Sequence, residues 1–178
     1  MTPMSLPTPT LQTGRLRLRP FDDADEKDLF ALQSNADILR YWDAPPWSEP
    51  VRAKAFITAC RQMAEAGTGA RLAVDRVSDG VFIGWCSLKR WNPDYRSASL
   101  GYCFDDAAWG HGYATEAARA WIEWGFDHLD VPYLTANIHP ENTASLAVAR
   151  RLGMEALRED VFHEMPSIVH ARFRDSRA

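Results

Sequence analysis

The stretch ASLGYCFDDAAWGHGYATEAA, residues 98–118, decides the fold, because an alternating strand runs into a glycine loop that opens a helix. Ala98, Leu100, Tyr102 and Phe104 alternate with Ser99, Gly101 and Cys103, the period of a strand with one better-buried face. Gly110 and Gly112 permit backbone angles and a close approach that a Cβ would block, and residues 115–124 carry a helical pattern. The first turn of such a helix offers unpaired N–H groups and the positive end of the macrodipole, which bind phosphate oxygens without any basic side chain. The pattern predicts a pyrophosphate ligand; the same spacing also serves as a plain strand-to-helix connection. Two familiar phosphate loops are excluded. There is no Gly-x-x-x-x-Gly-Lys-[Ser/Thr], and the loop lacks the third glycine and downstream acid of a dinucleotide site.

Working outward, strands and helices alternate without an internal repeat. Leu16 and Leu18 alternate with Arg15, Arg17 and Arg19, a period-2 pattern read as a solvated strand face, and Asp22, Asp23 and Asp25 then supply cap and first-turn carboxylates for a helix carrying Leu29, Phe30 and Leu32. Ser48-Glu49-Pro50 starts a helix over 51–66 that Gly67 ends. Residues 72–74 and 81–88 read as strands joined at Ser78-Asp79-Gly80, and Asn92-Pro93-Asp94 turns the chain toward the central strand. Ala117, Trp121, Trp124 and His128 mark one packing face of the helix after the loop. A strand over 134–138, a helix over 144–152 closed by Gly153, and terminal strands over 157–164 and 168–174 complete a mixed α/β domain with helices on both faces.

Composition suits one compact domain over 11–178 after a flexible lead-in at 1–10, which holds three prolines and no apolar signal region. A net charge of -4, from 20 basic and 24 acidic residues, gives no bulk attraction to nucleic acid or anionic membrane. Cys60, Cys86 and Cys103 have no metal-ligand spacing and read as buried thiols in a reducing, cytoplasmic compartment; no metal is expected. An exposed edge strand near the C-terminus leaves a homodimer open.

Three motifs in order carry a resemblance to a known family. Thr13-Gly14-Arg15-Leu16-Arg17-Leu18-Arg19-Pro20 is similar to the opening strand, Trp109-Gly110-His111-Gly112-Tyr113-Ala114-Thr115-Glu116-Ala117 to the pyrophosphate loop, and Pro140-Glu141-Asn142-Thr143-Ala144-Ser145 through Leu152-Gly153-Met154 to the second signature of the GNAT acetyltransferases. Within that superfamily the chain resembles the branch that acetylates the N-terminal alanine or serine of ribosomal proteins. The resemblance spans residues 11–158 and implies a largely antiparallel sheet with a splayed parallel strand pair, formed here by residues 98–104 and 133–138. Acetyl-CoA would lie in that opening, its pantetheine replacing a missing strand near Phe104 and its pyrophosphate on the N–H groups of Trp109 through Ala114, with Thr115 also binding the cofactor. Relatives often carry Gln or Arg where Trp109 stands and Lys or Arg where His111 stands, so backbone dipoles would bear the recognition, with Arg150 or Arg151 as helpers.

Asn142 is a preferred helix N-cap on structural grounds alone; by resemblance Asn142 and Ser145 face the cofactor, and Ser145 protonates the departing thiolate. An ammonium acceptor must lose a proton before it attacks. Relatives often place Glu where this chain has Ser99, which leaves Asp43, Glu49, His139, Glu159, Asp160 and Glu164 as candidate bases. Trp42, Asp43 and Trp47, in a proline-stiffened loop, suit a cationic amine; equally, the two indoles plug the end of the core. Trp91 and Tyr95 extend the same wall. The expectation is an acetyl-CoA-dependent N-acetyltransferase working by direct attack on a primary amine, a protein or peptide N-terminus. A small amine (amino acid, polyamine or drug) is the alternative acceptor, and an acyl-CoA-binding regulatory protein without turnover is the further alternative.

Overall fold

The alternating segments pair into one sheet, and helices cover the apolar faces of its central strands. The computed structural model describes residues 8–92 and 97–175, with backbone alone at 90–92. The expected turn at 92–94, the Trp91 and Tyr95 wall and most of the expected lead-in lie outside the described residues. The strands are β1 (Leu11–Gln12), β2 (Leu16–Arg19), β3 (Gly69–Arg76), β4 (Val81–Asn92), β5 (Ser97–Phe104), β6 (Tyr133–Ile138), β7 (Glu155–Phe162) and β8 (Met165–Phe173). Four α-helices join them: α1 (Glu26–Ser34), α2 (Val51–Glu65), α3 (Tyr113–His128) and α4 (Thr143–Arg151). The sheet order is β1-β2-β3-β4-β5-β6-β8-β7. Every neighbouring pair is antiparallel except β5 and β6.

Helices cover both faces, as the alternation implies. On one side α3 and α4 press Ala117, Trp121, Ile122, Val148 and Ala149 onto Leu72, Leu88, Leu100 and Leu134. On the other, α1 and α2 bury Leu29, Leu32, Ile57 and Cys60 against Ala73, Trp85 and Cys103. Each such aliphatic side chain contributes about 1.5–3 kcal/mol on full burial. His128, expected on the packing face of α3, is exposed and stacks on Trp124 at 4.7 Å.

Three local details depart from the sequence expectation. Arg19 is largely buried and binds Asp25 and Asp75 together, tying β2 to β3 and to the turn before α1, so only part of the arginine row is solvated. The capping carboxylate Asp22 serves a short 3-10 turn over Asp23–Asp25 before α1 begins. The terminal strands end and begin earlier than the pattern suggested: β7 stops at Phe162, and His163 and Glu164, with φ of 49° and 64°, make the turn to β8.

Candidate active site

β5 and β6 run in parallel register only at Ser97–Tyr133, Ala98–Leu134 and Ser99–Thr135. Beyond those three pairs β5 continues with β4 to Phe104, while β6 continues with β8 to Ile138. The two strands therefore splay, and the β5 edge from Leu100 onward has no strand partner. Backbone polar groups on such an edge are costly to leave unpaired, and an extended ligand with amides completes them.

Two clefts meet at the splay. The larger, of about 1140 Å³, runs along the loop 109–115 and the first turn of α3. The smaller, of about 330 Å³, occupies the splay between β5 and β6 and extends to the β7–β8 turn. Ile38, Tyr41, Trp42, Tyr102, Asn142 and Ser145 line both and mark where they join.

The loop is built to expose N–H groups. Asp105 caps a 3-10 turn over Asp106–Ala108, and the Trp109 N–H is spent on the Asp106 carbonyl at 3.1 Å. Gly110 and Gly112, at φ of 76° and 78°, then take left-handed conformations in which an L side chain is strained. Among the described residues the N–H groups of Gly110 through Thr115 meet no acceptor, and they lie at the positive end of α3. Their chemistry fits a diphosphate. The Trp109 indole donates to the Phe104 carbonyl at 3.0 Å, which fixes the end of β5 against the loop.

The loop is held by residues that line the same cleft and whose function was not read from the sequence. Arg15 donates to the His111 carbonyl at 2.9 Å, pairs with Glu116 at 2.7 Å and lies 4.6 Å from the centre of the Tyr113 ring. Thr13 donates to the same carboxylate at 2.6 Å. Burial pushes the Glu116 carboxyl up, but the Thr13 and Arg15 hydrogen bonds outweigh it and leave Glu116 below its ordinary value. Neither Arg15 nor Glu116 announces this in sequence, since they stand 101 residues apart.

At the junction Asn142 accepts the Ser145 N–H at 3.1 Å as the N-cap of α4, so its structural role is present beside its position in the cleft. Ser145 faces the Tyr102 phenol, and burial pushes that phenol up to about 12 against an opposing pull from the Ser145 hydroxyl. Tyr41 donates to the Glu141 carbonyl at 3.2 Å, and its ring lies tilted against His139 with centres 5.0 Å apart. Trp42 is exposed and packs edge-on to Trp85 at 5.3 Å. Asp43 lines the smaller cleft and pairs with His163 of the β7–β8 turn at 3.3 Å. Trp47 is elsewhere: it is buried beside Phe56 with the α1 and α2 core and lines neither cleft. Of the other candidate bases, His139 lines the smaller cleft, while Glu49, Glu159, Asp160 and Glu164 line neither. Among the described residues no cluster of three metal-ligating side chains occurs, and no helix is long and apolar enough to cross a membrane.

Comparison with known proteins agrees with this geometry. The family described as "Acetyltransferase (GNAT) domain" matches residues 15–155. The uncharacterized protein YkkB of Bacillus subtilis is 33% identical over 147 residues, covering 81% of this chain and 84% of that one. The spermidine N(1)-acetyltransferase of Escherichia coli K12 is 25% identical over 162 residues, 90% of this chain and 82% of its own. A Vibrio cholerae structure provisionally described as a ribosomal-protein-serine acetyltransferase superposes with a TM-score of 0.81 at 25% identity, covering 98% of this chain and 100% of its own. Spermidine N-acetyltransferase from Vibrio cholerae, solved with CoA and spermine, shares the fold with a TM-score of 0.77 at 17% identity, over 90% of this chain and 96% of that one. With the splayed pair, the glycine loop and the family match all in place, this chain belongs to the GNAT family of acetyl-CoA-dependent N-acetyltransferases.

Proposed function

We propose that the acceptor is the α-amino group of a protein or peptide N-terminus. The observation that carries this reading is the charge of the smaller cleft. Asp43 is the one carboxylate among its described lining residues, and Lys89, His139 and His163 stand in the same wall. One carboxylate beside Trp42 suits one ammonium next to an apolar side chain, whereas a polyamine needs several anionic partners. Ser99 in place of a glutamate agrees. An α-ammonium has a pKa of about 7.7–8.0 against about 10.4 for a lysine-type amine, so a weaker base suffices to free it.

In this reading acetyl-CoA occupies the larger cleft, its pyrophosphate on the N–H groups of Gly110 through Thr115 and its pantetheine along the open β5 edge. The acetyl carbonyl reaches the junction, where the neutral amine attacks it directly. Backbone N–H groups of β5 hold the oxyanion. Ser145 and the Tyr102 phenol then supply a proton to the departing thiolate.

The test is a thiol-release assay with acetyl-CoA and a panel of Ala- and Ser-initiated peptides beside spermidine, free amino acids and simple primary amines. Highest kcat/KM for peptides supports the reading. A higher kcat/KM for spermidine than for any peptide overturns it.

A further inference from the structure

We propose that Lys89 is the specificity-determining residue of the smaller cleft, and that the acceptor it selects carries a carboxylate close to its amine. In a peptide this is an acidic side chain within the first few residues. Lys89 stands on β4 and lines the smaller cleft together with Trp42, Gly101 and Tyr102. Its cross-strand neighbours are Gly69 on β3 and Ser99 on β5, so the sheet offers it no charge of opposite sign, although an acidic residue at either position would stabilise a lysine there.

A second cation lies beside it. Arg71 on β3 faces the same side of the sheet, since it stands two residues from Gly69 and pairs with Ser87, two residues from Lys89. Its guanidinium is held between the Phe56 and Trp85 rings, 4.2 and 4.6 Å from their centres, and donates to Cys60 Sγ at 3.5 Å. Arg71 Nε is buried without a hydrogen-bond partner. Among the described residues neither Arg71 nor Lys89 has a carboxylate partner. Elsewhere the chain neutralises its shielded cations: Arg19 has Asp25 and Asp75, and Arg15 has Glu116. Burial and the Arg71 charge push the Lys89 ammonium below its ordinary value, and an anion bound beside it opposes both effects.

The cleft therefore has a charge pattern that a ligand can match. Asp43 lines the same wall, so the pocket presents one carboxylate and one lysine ammonium besides two histidines among its described lining residues. An α-ammonium at Asp43 and a carboxylate at Lys89 satisfy both at once. A second ammonium, as in a polyamine, meets the repulsion of Lys89 and Arg71. Arg71 lines neither cleft and acts through its charge, as a positioning residue behind Lys89.

The assignment rests on the reading of this cleft as the seat of a peptide N-terminus, and the experiment keeps the two apart. For the wild type, kcat/KM is measured with C-terminally amidated Ala- and Ser-initiated peptides in which a single Glu is moved through the second, third and fourth positions, each against its Gln counterpart. Free amino acids are measured against their amides in the same way. Lys89→Met and Lys89→Arg are run beside the wild type, with stabilisation by acetyl-CoA as the check that each is folded. The wild type is expected to prefer the carboxylate form by about tenfold or more, through KM and less strongly at high salt. In Lys89→Met the ratio of acid to amide is expected to fall to about one, and Lys89→Arg is expected to restore it. The same Lys89-dependent preference confined to the amino acids supports carboxylate recognition and overturns the peptide reading alone. A wild-type ratio of about one in both series, or a ratio unchanged in Lys89→Met, overturns the proposal.

Discussion

Arg15 and His111 are joined by a hydrogen bond of 2.9 Å from guanidinium to carbonyl across 96 residues of sequence, so the β1–β2 hairpin braces the glycine loop. Arg15 lines the same cleft as the loop it holds. Arg15→Ala is expected to raise KM for acetyl-CoA about tenfold, near 1.4 kcal/mol, with little change in kcat. S-acetylpantetheine has no pyrophosphate, and kcat/KM for that donor should be the same in variant and wild type.

Glu116 gives the brace a pH dependence. Its folded value is lowered, so its contribution to stability is complete above the ordinary carboxylate value of about 4.3 and disappears as pH falls through the lowered folded value. Urea unfolding of wild type and Glu116→Gln should therefore differ at pH 7 and converge in acid.

Tyr102 keeps its proton throughout the assay range, since its phenol is pushed up to about 12 by burial. Tyr102→Phe should lower kcat by about 10²-fold, with a smaller loss for Ser145→Ala, and neither should move the alkaline limb of kcat below pH 10. Steady-state kinetics with a fixed acceptor measure both.

Saturating acetyl-CoA, at a hundredfold over its Kd, should stabilise the folded chain by about 2.7 kcal/mol. Gly112→Val puts a branched side chain at a φ of 78°, beside Arg15 Nη2, and should abolish the shift in thermal midpoint while the unliganded protein still unfolds cooperatively.

Arg19 neutralises Asp25 and Asp75 where all three are mostly shielded from water. Arg19→Ala leaves two carboxylates facing each other, and urea denaturation should show a loss of about 3 kcal/mol.

The strand, glycine loop and helix at 98–118 were legible because each uses a local rule: period 2, then positive φ, then period 3.6. The second motif was legible for the same reason at the Asn142 cap. What escaped was set by partners distant in sequence. Arg15, Arg17 and Arg19 share one alternating row, yet only Arg17 is a plain exposed side chain; the others found carboxylates on α3, on β3 and in the turn before α1. The β7–β8 turn was read as strand because His163 and Glu164 carry left-handed angles without the glycine or asparagine that signals them. Trp47 lies five residues from Trp42 in the same loop, and packing alone sends one indole inward and the other to the cleft.

Three residue pairs form the whole ladder between β5 and β6, so the sheet is two half-sheets sharing a short seam. In the proposed mode of binding, an acyl donor whose amides lie along the open β5 edge would lengthen that seam as a stand-in strand, and its release would shorten it again.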